Sequence, residues 1–233
     1  MPQDFRTIGT KIIGVGKSYT YNWPGKTKPD PLPEPLIFLK PVSSYVGDGQ
    51  TIQVPEGCTI AHEVELAIVI GKRGKNIKER DALDHVSGYA LALDMCAKNV
   101  QQVAQQAGHP WSICKGLDSF TPIGRFITKD ELGVPGDVHL KFSVNDQVRQ
   151  QGSTKDLIYT IAQVVAYISG IFTLEVGDVI LTGTPEGVGL LDHGDRVQAQ
   201  MRSANGSILD TLSLTVEGKE GGYSKIRHWI DTI

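Results

Sequence analysis

The segment that most constrains the fold is HEVELAIVIGKR, residues 62–73, in which two glutamates lie inside a run of Val, Leu, Ala and Ile. The alternation favours a β-strand, and residues two apart in a strand point to the same face. Glu63 and Glu65 therefore face one side of the strand, and Val64 faces the other. Ala67 and Val69 continue the glutamate face with apolar side chains. The strand thus places two carboxylates beside apolar neighbours.

Two carboxylates on such a strand need compensation, because burying one isolated charge is costly and a like charge nearby adds to the cost. Three arrangements satisfy the pattern: an exposed strand face, ion pairs with basic residues, or a bound metal ion. A third acid, Asp94, ends the apolar run of residues 88–93. Three carboxylates suit a hard divalent ion such as Mg²⁺ or Mn²⁺. The residues alone leave all three arrangements open.

Composition narrows the class of protein. The 233 residues carry a formal net charge of −3, which indicates neither a nucleic-acid-binding surface nor a polybasic membrane surface. No stretch approaches the roughly 20 apolar residues of a membrane span, and residues 1–11 lack the pattern of a signal peptide or presequence. The three cysteines form no CxxC motif, which is typical of reduced thiols. We therefore expect an intracellular protein, cytoplasmic or mitochondrial, with no nucleic-acid or membrane partner.

Two segments have the apolar periodicity of a helix. Residues 153–170 carry an apolar stripe at helical spacing, and Ser153 or Thr154 can cap it. Residues 96–108 form a second predicted helix, which Gly108 ends.

Most of the chain, however, predicts strands, since 26 glycines and 12 prolines favour many turns over a helix bundle. Residues 141–152 predict a hairpin that turns at Asn145-Asp146. Residues 20–35 contain five prolines and predict an extended or mobile connection. No break in composition marks a second domain. Further strands are predicted at residues 10–16, 36–40, 86–95, 178–183, 195–201 and 208–218.

Two loops add polar groups that could serve a site. Lys115 is the one lysine in the largely apolar loop of residues 109–124, and it is a surface lysine, a cationic anchor or a proton-transfer group. Residues 181–189, LTGTPEGVG, place Gly183 and Thr184 where a hydroxyl group and backbone amides could meet an anionic ligand. A glycine-rich turn without a ligand fits this second pattern equally well.

Four blocks in fixed order resemble the fumarylacetoacetate hydrolase family, most of all its acylpyruvase and oxaloacetate-decarboxylase branch. The blocks are residues 62–73, 88–101, 109–124 and 174–189. The resemblance implies an α+β fold, with a rolled mixed β-structure around a metal site and few helices. It also implies one catalytic domain over residues 1–233, a mobile lid over residues 17–35, and a homodimer.

The resemblance also assigns roles to individual residues. Three acids match the family's metal ligands, and the metal is usually Mg²⁺, with Mn²⁺ or Ca²⁺ in some members. A 2-oxo acid or its enol binds that metal, which stabilises the charge that develops on the keto oxygen. At the position of Lys98, this branch often has arginine. Lysine keeps the positive charge of arginine but lacks its forked guanidinium geometry. The implied residues are Glu63, Glu65 and Asp94 for the metal, Lys115 and Gln101 for catalysis, and Lys17, Lys98, Gly183 and Thr184 for the substrate.

The chain departs from the family in the lid. Acylpyruvase-type members have V-G-x-N-Y-x-x-H-x-x-E, whose His and Glu activate water, whereas this chain has Asn22 and Gly25 at those two positions. An asparagine amide cannot act as a base near neutral pH. Glu34 aligns with the family's own Glu-Pro and does not replace the lost acid. His62 or Asp30 could do so only if the lid brought one of them close.

Three functions therefore stay open. The first is a Mg²⁺-dependent acylpyruvate hydrolase or oxaloacetate decarboxylase, which cleaves a C–C bond of a small 2-oxo or 1,3-dicarbonyl acid. The second is an isomerase, an oxaloacetate keto–enol tautomerase, because tautomerisation needs no activated water. The third is a catalytically silent homologue that keeps the metal and ligand site.

Overall fold

In the computed structural model, which describes residues 4–220, β-strands form the bulk of the molecule. In chain order the strands are β1 (Ile12–Gly16), β2 (Leu36–Lys40), β3 (Tyr45–Val46), β4 (Thr51–Pro55), β5 (Ile60–His62), β6 (Val64–Ile70), β7 (Val86–Leu93), β8 (Cys96–Ala97), β9 (Thr121–Pro122), β10 (Ile127–Thr128), β11 (His139–Val144), β12 (Gln147–Ser153), β13 (Val179–Leu181), β14 (Gly189–Leu191), β15 (Arg196–Arg202) and β16 (Ile208–Lys219).

Helices are fewer and short, so the predicted α+β class is confirmed. The α-helices of the described chain are α1 (Phe5–Ile8), α2 (Lys98–Ala107), α3 (Ser112–Lys115), α4 (Lys129–Leu132) and α5 (Ile161–Ile171). Turns of 3-10 helix lie at Thr20–Asn22, Pro24–Lys26, Val42–Ser44, Glu79–His85 and Thr154–Asp156. None of the helices in residues 4–220 is long and apolar enough to cross a membrane.

Two large sheets organise these strands. One sheet has the strand order β10-β7-β6-β13-β1-β2, and the other has the order β12-β11-β15-β16-β4. In the first sheet β6 pairs antiparallel with β7 and with β13, and β1 pairs in parallel with β13. Smaller sheets of β14-β5-β8 and β3-β9 complete the β-structure of residues 4–220. The strand that carries the glutamates is therefore a central one.

Both faces of β6 are buried. Leu66 belongs to the main hydrophobic core, and Ala67 belongs to a smaller apolar cluster that includes Phe5 of α1. Because the sheet is covered on both sides, its central strand offers no face to solvent. Glu65 is buried in this strand, and the side chain of Glu63, directly before it, is only 15% exposed, so the exposed-face arrangement for the two glutamates is wrong.

The helix predicted over residues 153–170 is shorter than expected. It begins at Ile161 and ends at Ile171. Thr160 caps it, with Gln163 N donating to the threonine hydroxyl at 3.1 Å and the Gln163 side chain accepting from Thr160 N at 2.9 Å. This capping box satisfies amide groups that the first helical turn leaves free.

The two residues predicted to cap that helix have other partners. The Ser153 hydroxyl accepts from Lys155 N at 3.2 Å and so begins a 3-10 turn. The Thr154 hydroxyl accepts from Val138 N at 2.9 Å and donates to the Pro135 carbonyl at 2.8 Å. These contacts hold the preceding residues in the second sheet and delay the start of the helix.

Two other local predictions agree more closely with the structure. Helix α2 starts two residues later than predicted, because Cys96–Ala97 pairs with β5 as strand β8. It ends at Gly108, which adopts the left-handed conformation at φ 68°. The hairpin is confirmed: Asn145 and Asp146 both have positive φ, of 48° and 65°, as a type I′ turn requires.

The predicted lid follows β1 directly. It contains two 3-10 turns, and the Trp23 indole donates to the Lys17 carbonyl at 3.0 Å. Lys26 pairs with Glu186 at 3.0 Å, so the segment touches the loop that follows β13. That residues 17–35 are mobile, and that the whole chain is one domain, stay predictions.

Candidate active site

Three acids meet where β6 begins and β7 ends. Glu65 lies in β6, Glu63 directly precedes it, and Asp94 directly follows β7. The antiparallel register pairs Val64 with Leu93, and Asp94 N donates to the Glu63 carbonyl at 2.8 Å. One carboxylate oxygen from each acid lies within 4.8 Å of the other two. The cluster therefore follows from the pairing of two strands.

Lys115 joins two of these acids. Helix α3 places its Nζ atom 2.8 Å from Glu63 Oε2 and 2.7 Å from Asp94 Oδ2. Lys115 is 1% exposed, so the alternative of a surface lysine is wrong. Burial alone would lower the pKa of Lys115, but the charges of Asp94 and Glu63 outweigh it and hold the pKa well above its usual value. Lys115 is therefore a buried ammonium group.

A second buried lysine was not predicted from the sequence. Lys40 ends β2, donates to Asp94 Oδ1, and donates to the Phe120 carbonyl at 2.7 Å. Burial opposes the charge of Asp94, but Lys115 and Lys40 outweigh it and lower the pKa of this acid. The one signal for Lys40 in the sequence is its place at the end of an apolar strand.

Glu65 differs from the other two acids because the described ion pairs of the site leave it out. It is 2% exposed and accepts a hydrogen bond from Gly183 N at 2.7 Å. Burial, together with the charges of Asp94 and Glu63, raises the pKa of Glu65 well above its ordinary value. A buried carboxylate without a direct ion pair in the described residues, beside two more carboxylates, is a donor set that fits a divalent metal ion.

The acids form the floor of a cavity of about 250 Å³. All nine residues that the resemblance assigned to the site line it, so the structure brings them together. In the described part of the chain, no histidine and no acid beyond the three lines this cavity. Its other lining residues are Val15, Gly16, Ser18, Tyr21, Asn22, Phe38, Gln105, Trp111 and Val188.

Contacts within the cavity wall position two of the substrate-binding candidates, Lys98 and Gly183. Lys98 Nζ lies 3.0 Å from Gln101 Oε1 and 3.8 Å from Glu63 Oε1. Gly183 has φ of 99°, and a Cβ atom there would lie 1.8 Å from Ser18 Oγ. The positive φ and the close approach of the Ser18 side chain therefore favour glycine at position 183.

The lid supplies no replacement for the missing acid and base. Asn22 lines the cavity and Gly25 does not. His62 is 0% exposed, and its ring stacks on Phe142 with centroids 4.2 Å apart. Neither His62 nor Asp30 lines the cavity, so the structure does not bring either one into the role of the lost base.

The sequence matches a known protein family over most of its length. Residues 11–216 match the family model described as fumarylacetoacetate (FAA) hydrolase C-terminal. The chain belongs to the fumarylacetoacetate hydrolase family. The four blocks that resembled this family in the sequence all lie within the matched range, and they supply the three acids, Lys115 and Thr184.

Individual members of the family are similar over most of the chain. The protein named oxaloacetate tautomerase FAHD1, mitochondrial, from Oryza sativa subsp. japonica is 48% identical over 202 residues, covering 84% of this chain and 87% of that protein. The oxaloacetate decarboxylase, mitochondrial, of Dictyostelium discoideum is 45% identical over 197 residues, covering 83% and 89%.

A solved structure shows the same fold. It is the fumarylpyruvate hydrolase from Pseudomonas aeruginosa in complex with Mn²⁺ and pyruvate, which superposes with a TM-score of 0.79 at 31% identity. The superposition covers 91% of this chain and 91% of that chain.

Proposed function

We propose that this member of the fumarylacetoacetate hydrolase family is a divalent-metal-dependent oxaloacetate tautomerase, which interconverts the keto and enol forms of a small 2-oxo acid. The observation that carries the proposal is the lining of the cavity, where three acids and Lys115 occur without a further carboxylate or histidine in the described residues. The name of the rice relative supports the same reaction.

Three residues would hold the metal: Glu63, Glu65 and Asp94. Because the donors are all carboxylate oxygens, we propose Mg²⁺, with Mn²⁺ or Ca²⁺ as the alternatives. The description of the Pseudomonas structure as a complex with Mn²⁺ supports a divalent ion as the metal. When bound, the ion would supply a Lewis acid for the carboxylate and keto oxygens of the substrate.

The chain's own groups then bind the substrate and stabilise charge. Lys115 holds a proton at Nζ on the cavity floor, where a fixed positive charge favours negative charge developing on a substrate oxygen. Lys98 and Lys17 also line the cavity, and their two positive charges favour an acid with two carboxylates. Gln101 accepts from Lys98 at 3.0 Å, which fixes its amide and leaves its NH₂ group free to donate to the substrate.

The missing lid residues separate tautomerisation from hydrolysis. Hydrolytic C–C cleavage needs an activated water molecule, and loss of a general base costs about 10²–10⁴-fold in rate. Asn22 stands in the cavity where the family's histidine would lie, and it cannot take a proton near neutral pH. Keto–enol exchange needs no activated water, because one proton is added to carbon while another leaves the enol oxygen. The Lys115 ammonium group would donate the first proton and take up the second, so its own charge is restored. Tautomerisation is therefore the reaction that these residues favour.

The experiment is an assay of purified, Mg²⁺-loaded protein on oxaloacetate and on acetylpyruvate, with enol absorbance and pyruvate release followed separately. Accelerated change in enol absorbance without pyruvate release is the expected result. Activity that persists in EDTA, or an inactive protein with both substrates, would contradict the proposal.

The second candidate is the acylpyruvate hydrolase or oxaloacetate decarboxylase. It is favoured by the names of the Dictyostelium and Pseudomonas relatives. Decarboxylation, like tautomerisation, needs no activated water, so pyruvate released from oxaloacetate but not from acetylpyruvate would establish a decarboxylase. Pyruvate released from acetylpyruvate would establish a hydrolase that uses another base.

Two further expectations accompany the proposed function. We propose a homodimer, which sedimentation of the purified protein tests. We also propose a cytoplasmic or mitochondrial location, and the word mitochondrial in the names of the rice and Dictyostelium relatives supports the latter.

A further inference from the structure

Gln150 connects the second sheet to the cavity through one buried amide. It lies in β12 and is 1% exposed. Its Oε1 atom lies 2.8 Å from His62 Nδ1 and 3.2 Å from Val64 N. Its Nε2 atom lies 2.8 Å from Thr184 Oγ1 and 2.7 Å from the Pro185 carbonyl oxygen. The amide oxygen and the amide nitrogen of Gln150 therefore each have two hydrogen-bond partners.

The contacts of Gln150 settle which end of its amide is which. The backbone N–H of Val64 can only donate a hydrogen bond, and the carbonyl of Pro185 can only accept one. Oxygen must therefore face Val64, and nitrogen must face Pro185 and Thr184. The inverted amide would set donor against donor and acceptor against acceptor in a buried place, which costs free energy at each group. Nε2 thus donates to the Thr184 hydroxyl oxygen.

This donation fixes what the Thr184 hydroxyl can do. A hydroxyl group has one proton to donate and two lone pairs to accept with. The proton goes to the Val64 carbonyl oxygen, 2.8 Å away, and one lone pair takes the Gln150 amide proton. Thr184 lines the cavity, and what its hydroxyl still offers a ligand there is a lone pair.

We propose that Gln150 is a positioning residue, which holds the Thr184 hydroxyl as a hydrogen-bond acceptor toward the cavity. The site therefore prefers a ligand that carries a hydroxyl group, and so binds the enol form of the 2-oxo acid better than the keto form. The inference rests on the proposed function, because it names the tautomer that the same site binds better. An enol oxygen carries a proton that it can donate to Thr184. A keto oxygen carries only lone pairs, which the lone pair of Thr184 repels.

Lactate and pyruvate test the preference, because they are similar in size but lactate has a hydroxyl group where pyruvate has a keto oxygen. Their dissociation constants are measured by calorimetry on Mg²⁺-loaded protein, with both enantiomers of lactate. Relative to the native protein, Gln150→Leu is expected to shift the lactate-to-pyruvate affinity ratio about tenfold toward pyruvate, the value of one hydrogen bond. Thr184→Val is expected to cause a similar shift, and Thr184→Ser is expected to keep the native ratio.

The outcomes separate this inference from the proposed function. An unchanged ratio in Gln150→Leu and Thr184→Val would overturn the inference while the site itself stands. If neither acid binds the native protein, the proposed function fails. A neutron structure of the metal-free native protein then decides the inference by itself: a deuteron between Thr184 Oγ1 and the Val64 carbonyl supports it, and a deuteron directed into the cavity overturns it.

Discussion

Lys40 is completely buried against Asp94, and its ammonium group binds the carboxylate oxygen that Lys115 leaves free. Asp94 is thus held on both oxygens by cations from two distant segments. Lys40 does not line the cavity, and burial lowers its pKa although the charge of Asp94 opposes this. The orientation of one proposed metal ligand therefore depends on a residue that substrate cannot touch.

Lys40→Met tests this dependence. We expect it to destabilise the metal-free protein by about 3 kcal/mol, because removing one partner of a buried ion pair leaves charge uncompensated. Urea unfolding followed by circular dichroism measures the loss. Lys141→Met, on an exposed position of β11, is the matched control and should change stability by less than about 0.5 kcal/mol. Equal effects of the two substitutions would show that the Lys40–Asp94 pair contributes nothing.

Glu65→Gln is expected to stabilise the metal-free protein at neutral pH. Burial and the charges of Asp94 and Glu63 raise the pKa of Glu65 above its ordinary value of 4.5. The folded state therefore binds a proton there more tightly than the unfolded state, and stability falls as the pH rises from about 4.5 toward the raised pKa. Glutamine removes this fall, which thermal unfolding between pH 4 and pH 8 would show.

The same substitution should abolish stabilisation by metal. Mg²⁺ at 100 times its dissociation constant should stabilise the native protein by about 2.7 kcal/mol, and Glu65→Gln should show no such gain. Glu79→Gln, at an exposed position, is the control that keeps it. A full Mg²⁺ effect in Glu65→Gln would place the ion elsewhere.

Asp178 provides a test of the fold apart from the site. Its buried carboxylate accepts from Thr10 N and Glu175 N at 2.8 Å and from Lys11 N at 3.1 Å, and it pairs with the Lys11 ammonium group. Asp178→Ala should cost about 3–5 kcal/mol, because it removes the ion-pair partner of Lys11 and leaves three backbone N–H groups without their acceptor. Asp84→Ala, at an exposed position, should be nearly neutral in the same denaturation series.

Restoring the lid dyad should create a hydrolase. Asn22→His with Gly25→Glu is expected to raise pyruvate release from acetylpyruvate by about 10²-fold, the lower end of what a general base contributes. Gly25 has φ of 70°, so glutamate there carries backbone strain, and the gain should be smaller than in a lid built for it. A double variant that binds oxalate normally and hydrolyses nothing would show that the lid does not limit hydrolysis.

The sequence predicted the parts of the site that a single strand pattern carries. Glu63 and Glu65 follow from the period of two at and just before the start of β6, and Asp94 follows because β7 ends beside them. Lys40 and Gln150 could not be predicted in this way, because their partners lie 54 and 86 residues away. From the sequence alone, a lysine or glutamine in a strand is predicted to face solvent. Only the packing of a distant segment shows that the side chain is buried.

The predicted start of α5 was wrong for a related reason. The helical period of residues 153–170 was correct for its second half, but the Thr154 hydroxyl is hydrogen-bonded to Val138 and Pro135, which precede strand β11 of the second sheet. Tertiary contacts overrode the local cap signal. The capping box of Thr160 and Gln163 was present in the sequence and marks the true start.

The parallel pairing of β1 with β13 has a consequence for synthesis on the ribosome. β1 joins β6 only through β13, with Ile12 opposite Val179 and Val179 opposite Val69. A nascent chain that ends before β13 has made all three acids but lacks the strand that pairs with both β1 and β6. The sheet around the three carboxylates is therefore completed only when the last quarter of the chain has been synthesised. A cation that binds the carboxylates during translation would bind them before that, while they are still exposed to water.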